Sequence, residues 1–260
     1  MTFSKISYEV NDSVAVIALN SPKNLNAFDE LMIDDVLTAL EKAEADASIR
    51  VVVIKGNGPA FSAGGDIGMM YKGIKSGDLD LESGVQKIAL ISVAIKKFPK
   101  PVIASVHNAV AGAAFNIALA CDFCIASEDT KFIQAFVNIG LIPDAGGLYL
   151  LGRAVGVNRA IQLGMTGKPV LAKEAQMLGF VSEVCSKEEL EEATAKMAQK
   201  IASGPAQSYK YMKELIYQSQ FADFESYIKA EVMAQSACSQ SSDFKEGVSA
   251  FVEKRKPLFG

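Results

Sequence analysis

Val51-Val52-Val53-Ile54-Lys55-Gly56-Asn57-Gly58-Pro59-Ala60-Phe61-Ser62-Ala63-Gly64-Gly65-Asp66-Ile67 joins a buried strand to a turn and then to a run of small residues. Consecutive β-branched residues read as a strand covered on both faces, and Lys55 to Pro59 closes it. The run that follows lets a ligand approach its backbone, and free N–H groups at a helix start attract negative charge. A tight turn or close packing would call for the same residues. The same order returns downstream. Pro101 to Val106 is another buried strand, and Ala109-Val110-Ala111-Gly112-Ala113-Ala114-Phe115-Asn116 is a second small-residue run leading into a helix. Two such N–H groups converging on one oxygen form an oxyanion hole.

Working outward, Ile6 to Val10 and Val14 to Leu19 read as strands around the hairpin turn Asn11-Asp12-Ser13. From Asp29 to about Ala47 the period becomes helical, with Leu31, Val36, Leu37 and Leu40 on one stripe. A mixed segment containing Gly73 and Gly77 precedes a helix expected from Leu81 to Phe98. Helix and strand alternate through Leu119, Cys124 and Phe132, which predicts an α/β core with helices packed on sheets. Past Leu171 the strand signal thins, and helices are expected over 188–201, 205–219, 224–236 and 244–256. The expected organisation is an α/β core, residues 1–190, followed by a C-terminal helical region, 191–260.

Composition narrows the chemistry. Half of the 260 residues are apolar and 22% are charged, as in an ordinary folded chain. The net charge of −4, with no long basic block, argues against nucleic acid as partner. No apolar run approaches the roughly eighteen residues of a membrane span, and Met1 to Lys5 opens no signal-peptide core, so a soluble, cytoplasmic protein is expected. The single histidine, His107, excludes multi-histidine metal sites and points to carboxylates for acid–base work. Cys121-Asp122-Phe123-Cys124 has a CxxC spacing but no second pair, and its alternating neighbours suggest an extended segment with structural thiols. No metal ligand set is expected. In Gly140-Leu141-Ile142-Pro143-Asp144-Ala145-Gly146-Gly147, Asp144 is either a turn or cap aspartate or a carboxylate desolvated by apolar company.

Taken together, Phe61 to Asp66, Ala109 to Asn116, Ala120-Cys121-Asp122, Ile139 to Gly147 and Glu246-Gly247 to Pro257 occur in crotonase order. Over essentially its whole length the chain resembles the crotonase, or enoyl-CoA hydratase/isomerase, superfamily. The resemblance implies a spiral of repeated ββα units with a C-terminal helical region that assembles homotrimers or hexamers. It implies an acyl-thioester substrate carried by CoA or by an acyl-carrier protein, with the pantetheine as part of the substrate and no separate cofactor. It puts the oxyanion donors on the backbone of Gly65 and Ala113, the latter in place of a usual glycine. It sets Leu25, Ala27 and the Ala63, Asp66 and Ile67 backbone along the pantetheine and adenine path, and Lys254 where a residue can reach a neighbouring subunit's ligand. Lys254 reads equally as a solvated helix-end lysine.

The departures from that pattern carry the functional expectation. Hydratases of the family use two glutamates, and here those positions are Asn116 and Phe136. Asparagine cannot take up the proton and phenylalanine offers no polar atom, so two-carboxylate hydration is disfavoured. Asp144 stands where several family isomerases carry an acidic residue. The Lys131 to Gly147 stretch is especially similar to the trans-2,cis-3-enoyl-acyl-carrier-protein isomerases and to the ring-epoxide isomerases of phenylacetate breakdown. The expectation is a one-base double-bond shift with Asp144 as base and Phe136 in an apolar wall. The alternatives are another crotonase reaction or a silent acyl-thioester binder. His107, where asparagine is usual, is given a turn or packing role.

Overall fold

The computed structural model describes residues 3–260. Its strands are β1 (Ile6–Asn11), β2 (Val14–Leu19), β3 (Val51–Gly56), β4 (Val102–Val106), β5 (Ala109–Ala111), β6 (Phe123–Ser127), β7 (Lys131–Ile133), β8 (Val170–Leu171) and β9 (Glu183–Cys185). Six form the main sheet in the order β1-β2-β3-β4-β6-β9, and β5-β7-β8 form a small second sheet. The β1–β2 hairpin is antiparallel, and β2, β3, β4, β6 and β9 then run parallel. Each turn of the chain lays one strand in the main sheet and one short extended piece in the second layer. Thus β3 is followed by Ser62 and Gly65, which bridge in parallel to Val110 and Phe28, while β4 leads to β5 and β6 to β7. This is the spiral of ββα units that the sequence resemblance implied.

Strand alternation assigns the two faces of the main sheet. Ile17, Leu19, Val52, Ile54, Val102, Ala104, Cys124 and Ala126 point into the large core, beneath α1 (Glu30–Ala45), α3 (Leu81–Lys97) and α4 (Ala113–Ala120). Val14, Val51, Val53, Ile103 and Ile125 point the other way and are covered by Leu190, Ala198 and Ala202 of α8 (Leu190–Ala202). Burying one such aliphatic side chain contributes about 1.5–3 kcal/mol, so the sheet is held from both sides. Among the described residues no helix is long and apolar enough to cross a membrane.

The remaining helices are α2 (Ile67–Ser76), α5 (Gly147–Val155), α6 (Val157–Thr166), α7 (Ala172–Leu178), α9 (Ala206–Gln220), α10 (Phe224–Ser239) and α11 (Ser242–Val252). The segment read as mixed is helical through Gly73 and stops at Gly77, whose left-handed φ of 80° closes the C-terminus. Helix α11 ends earlier than expected, at Val252 rather than near residue 256. Lys254 is left-handed (φ 55°), and Arg255 turns back to a two-nitrogen grip on Glu246, which also accepts the Leu258 N–H. Asp29, Asp66 and Asp80 cap α1, α2 and α3, each accepting a backbone N–H three residues on. Cys121 and Cys124 are free and buried, and burial pushes the Cys121 thiol up to about 12, so it is held as the inert thiol.

Candidate active site

The first small-residue loop is tied down by backbone hydrogen bonds from several directions. Ser62 N–H donates to Ala109, Ala111 N–H to Ser62, Ala63 N–H to Leu25, Phe28 N–H to Gly64 and Asp66 N–H to Phe28, at 2.7–3.2 Å. The Ser62 hydroxyl donates to the Asn26 carbonyl at 2.7 Å and accepts the Gly64 N–H at 3.1 Å. Gly64 has φ +88°, and a Cβ there would lie 2.6 Å from the Ala111 carbonyl oxygen, so only glycine lets the two runs approach. Amid this network, the Gly65 N–H donates to no acceptor among the described residues.

The second loop reaches the same condition through helix geometry. Gly112 adopts φ 55° and ψ −130° at the start of α4, a conformation open to glycine. Ala113 is the first residue of α4, where N–H groups have no partner inside the helix, and its N–H is likewise without an acceptor among the described residues. Gly65 and Ala113 line one cavity of about 110 Å³ together with Ala63, Asp66, Ile67, Phe136 and Asp144. Met69, Met70 and Leu79 to Ile88 form much of its wall, from the α2–α3 segment.

Asp144 is the buried carboxylate of this cavity, 8% exposed. Asp29, Asp66 and Asp80 also line it but are occupied as helix caps, and Glu30 is exposed beside Lys87. Burial lifts Asp144 from its usual 3.8 to about 7, with Gln235 and its own backbone N–H pulling weakly the other way. Its Oδ1 has no hydrogen-bond partner. A carboxyl so placed exchanges a proton near neutrality, which suits a general base.

Remote side chains hold the loop that carries it. Asn116, fully buried on α4, donates from Nδ2 to the Asp144 carbonyl at 2.7 Å and accepts Gln134 Nε2 at 2.7 Å. Gln235 on α10 accepts the Ile142 N–H and donates to the Ile142 carbonyl, both at 2.9 Å. Glu231, also on α10, accepts the Gly146 N–H at 2.9 Å. The sequence reading had Asn116 only as a missing glutamate and overlooked Gln134, Glu231 and Gln235. The i, i+4 spacing of Glu231 and Gln235 on one helix face was the available signal.

Two residues expected along the ligand path, Leu25 and Ala27, lie outside this cavity lining, as does Lys254, which was expected to reach a neighbouring subunit's ligand. Leu25 is left-handed (φ 55°) and 41% exposed, and meets the site through its carbonyl, which accepts the Ala63 N–H. Ala27 is buried one residue before Phe28. Lys254 is exposed beyond the end of α11 and does not line the cavity of its own chain. His107 is buried, with a ring nitrogen 2.9 Å from the Gly58 carbonyl, and Asn108 beside it is left-handed (φ 52°). His107 belongs to a larger cavity of about 640 Å³ between the sheet and α8, where Lys55 pairs with Glu191. That cavity contains neither unpaired backbone donor.

The sequence profile described as Enoyl-CoA hydratase/isomerase matches residues 9–260. The chain belongs to the enoyl-CoA hydratase/isomerase family. It is 44% identical over 260 residues to a trans-2-decenoyl-[acyl-carrier-protein] isomerase of Streptococcus mutans, covering 100% of this chain and 99% of that one. It is 33% identical over 251 residues to a 1,2-epoxyphenylacetyl-CoA isomerase of Escherichia coli, covering 96% of each. A crystal structure of an enoyl-CoA hydratase from Mycobacterium avium subsp. paratuberculosis superposes with a TM-score of 0.89 at 32% identity, covering 100% of both chains. Relatives named as isomerases and as hydratases therefore share this fold.

Proposed function

We propose that the protein is an enoyl-thioester isomerase that moves a double bond with Asp144 as its single base. The observation that carries this reading is the isolation of Asp144. It is the buried carboxylate that lines the cavity with the unpaired Gly65 and Ala113 N–H groups. By the family resemblance, Asn116 and Phe136 stand at a hydratase's two glutamate positions. The 44% identity to a protein named as such an isomerase supports it.

With a 3-enoyl thioester, the Asp144 carboxylate removes a proton from C2. The C–H electron pair passes into a dienolate whose negative oxygen accepts hydrogen bonds from Gly65 and Ala113. Neutral Asp144 then returns the proton to C4, leaving the double bond between C2 and C3, and the reverse shift uses the same steps. Each backbone donor is worth about 3 kcal/mol of barrier in sites of this type. Phe136, Ile139 and Leu141 line the cavity and keep out water that would add to the double bond. The substrate is carried by CoA or an acyl-carrier protein, the Ala63 to Ile67 backbone borders the pantetheine arm, and Lys254 serves a neighbouring subunit of a trimer or hexamer.

The test is product analysis with 2-enoyl and 3-enoyl thioesters of several lengths on both carriers. Isomerised product is expected. Replacement of Asp144 by Asn should lower kcat by about 10³–10⁴-fold with KM little changed, because the only base is lost. Substantial 3-hydroxyacyl product, or full activity in D144N, overturns the reading.

A further inference from the structure

Helix α10 sends Glu231 and Gln235, one turn apart, against the loop that carries Asp144, and both are enclosed, 3% and 0% exposed. Gln235 holds Ile142 by two hydrogen bonds of 2.9 Å, and Glu231 Oε1 holds the Gly146 N–H at 2.9 Å. These anchors bracket Asp144, one on each side of it in sequence. Between Asp144 and Gly146 stands Ala145, fully buried in the left-handed region at φ 52°, a conformation that costs a non-glycine residue energy and persists only where the surroundings enforce it. The helix has little room to shift: a Cβ at Gly146 would lie 2.5 Å from the Phe224 ring of the same helix.

We propose that Glu231 is a positioning residue for the reaction, fixing through the Gly146 N–H the direction in which Asp144 faces the cavity. The proposal rests on Asp144 being the base. It makes α10, far from the small-residue loops in sequence, part of the catalytic apparatus as well as a packing element. Burial lifts the Glu231 carboxyl to about 8, the Gly146 N–H pulling the other way and Asp144 nearby adding to the rise. Its Oε1 takes the Gly146 N–H at 2.9 Å, and the Tyr227 hydroxyl and the Gly147 N–H also face this carboxyl.

The test compares Glu231→Gln and Glu231→Leu with D144N on the thioester the parent enzyme turns over best. Leucine removes the acceptor, and a misdirected base costs about ten- to a hundredfold in kcat, with KM within about twofold. Glutamine keeps an oxygen for Gly146 and is expected to stay within about threefold of the parent kcat. If the leucine variant does not fold, Glu231→Asp takes its place, since the shorter side chain withdraws from Gly146, and the same loss in kcat is expected. Parent-like kcat in the acceptor-lacking variant overturns the proposal, as does an equal loss in E231Q or a change confined to KM. Activity surviving in D144N overturns the base assignment itself, whatever the Glu231 variants do.

Discussion

The two halves of the site are built by different means. The proposed oxyanion side, Ser62 to Gly65 with Gly112 and Ala113, presents backbone donors and is held largely by ladder-like backbone bonds to neighbouring strand ends, helped by the Ser62 hydroxyl. The base side, Ile142 to Gly147, is an irregular loop held by buried amide and carboxyl side chains from α4 and α10, reaching across 28, 85 and 93 residues of sequence. Backbone donors depend on conformation alone and tolerate Ala113 for glycine. A carboxylate must be aimed, and its aim depends on every side chain that grips its loop.

Short of removing Asp144 itself, breaking the backbone half should have the largest effect. Gly64→Ala puts a Cβ against the Ala111 carbonyl at a left-handed φ, so the two runs must separate and Gly65 loses its place. A fall of about 10²–10³-fold in kcat is expected, the loss of one oxyanion donor, together with a lower melting temperature. Parent-like kcat would mean that Gly65 is not a donor.

The base half is sharpened by pH. As the proposed base Asp144 must be ionised, and burial holds its proton up to about 7, so kcat/KM should fall about tenfold per pH unit below that value, near a hundredfold at pH 5. The sign for stability is opposite. The folded state binds this proton more tightly than the unfolded chain, so the contribution is full below the usual 3.8 and is lost as pH rises through about 7. D144N should therefore abolish the activity limb and gain stability relative to the parent progressively from about pH 4 to pH 7, in full above that, measured by rate profiles and thermal melts.

The smallest effect is expected from Asn116→Leu. It leaves the Asp144 carbonyl and the Gln134 amide without their partners, at about 1–3 kcal/mol of stability, and should lower kcat by about tenfold through the loosened loop. If kcat stays unchanged while the melting temperature falls, Asn116 supports the fold and not the aim of the base.

Legibility in the sequence follows the same division. Val51 to Ile54, the turn after it and the two glycine-rich runs announce themselves locally, because strand burial and positive φ leave marks in composition. Asp144 could be singled out only by resemblance, since a buried base and a turn aspartate look alike in a chain. Gly73 obscured α2, whose cap at Asp66 and stop at Gly77 were both present as signals. Arg255 folds back onto Glu246 beyond a left-handed Lys254, and α11 ends ahead of its periodicity. Glu231 in a helix reads as a solvated charge until a loop is packed on it.

The sequence by itself determined the strand-and-helix rhythm and the two loops able to expose N–H groups, which depend on residue type and near neighbours. The missing glutamate pair was read only through the family resemblance. Tertiary structure alone decided that Asp144 is desolvated, that Asn116 grips its carbonyl, and that Glu231 and Gln235 clamp its loop from α10. Proton affinity and side-chain aim are set by what surrounds a group in space, and those surroundings come from segments distant along the chain.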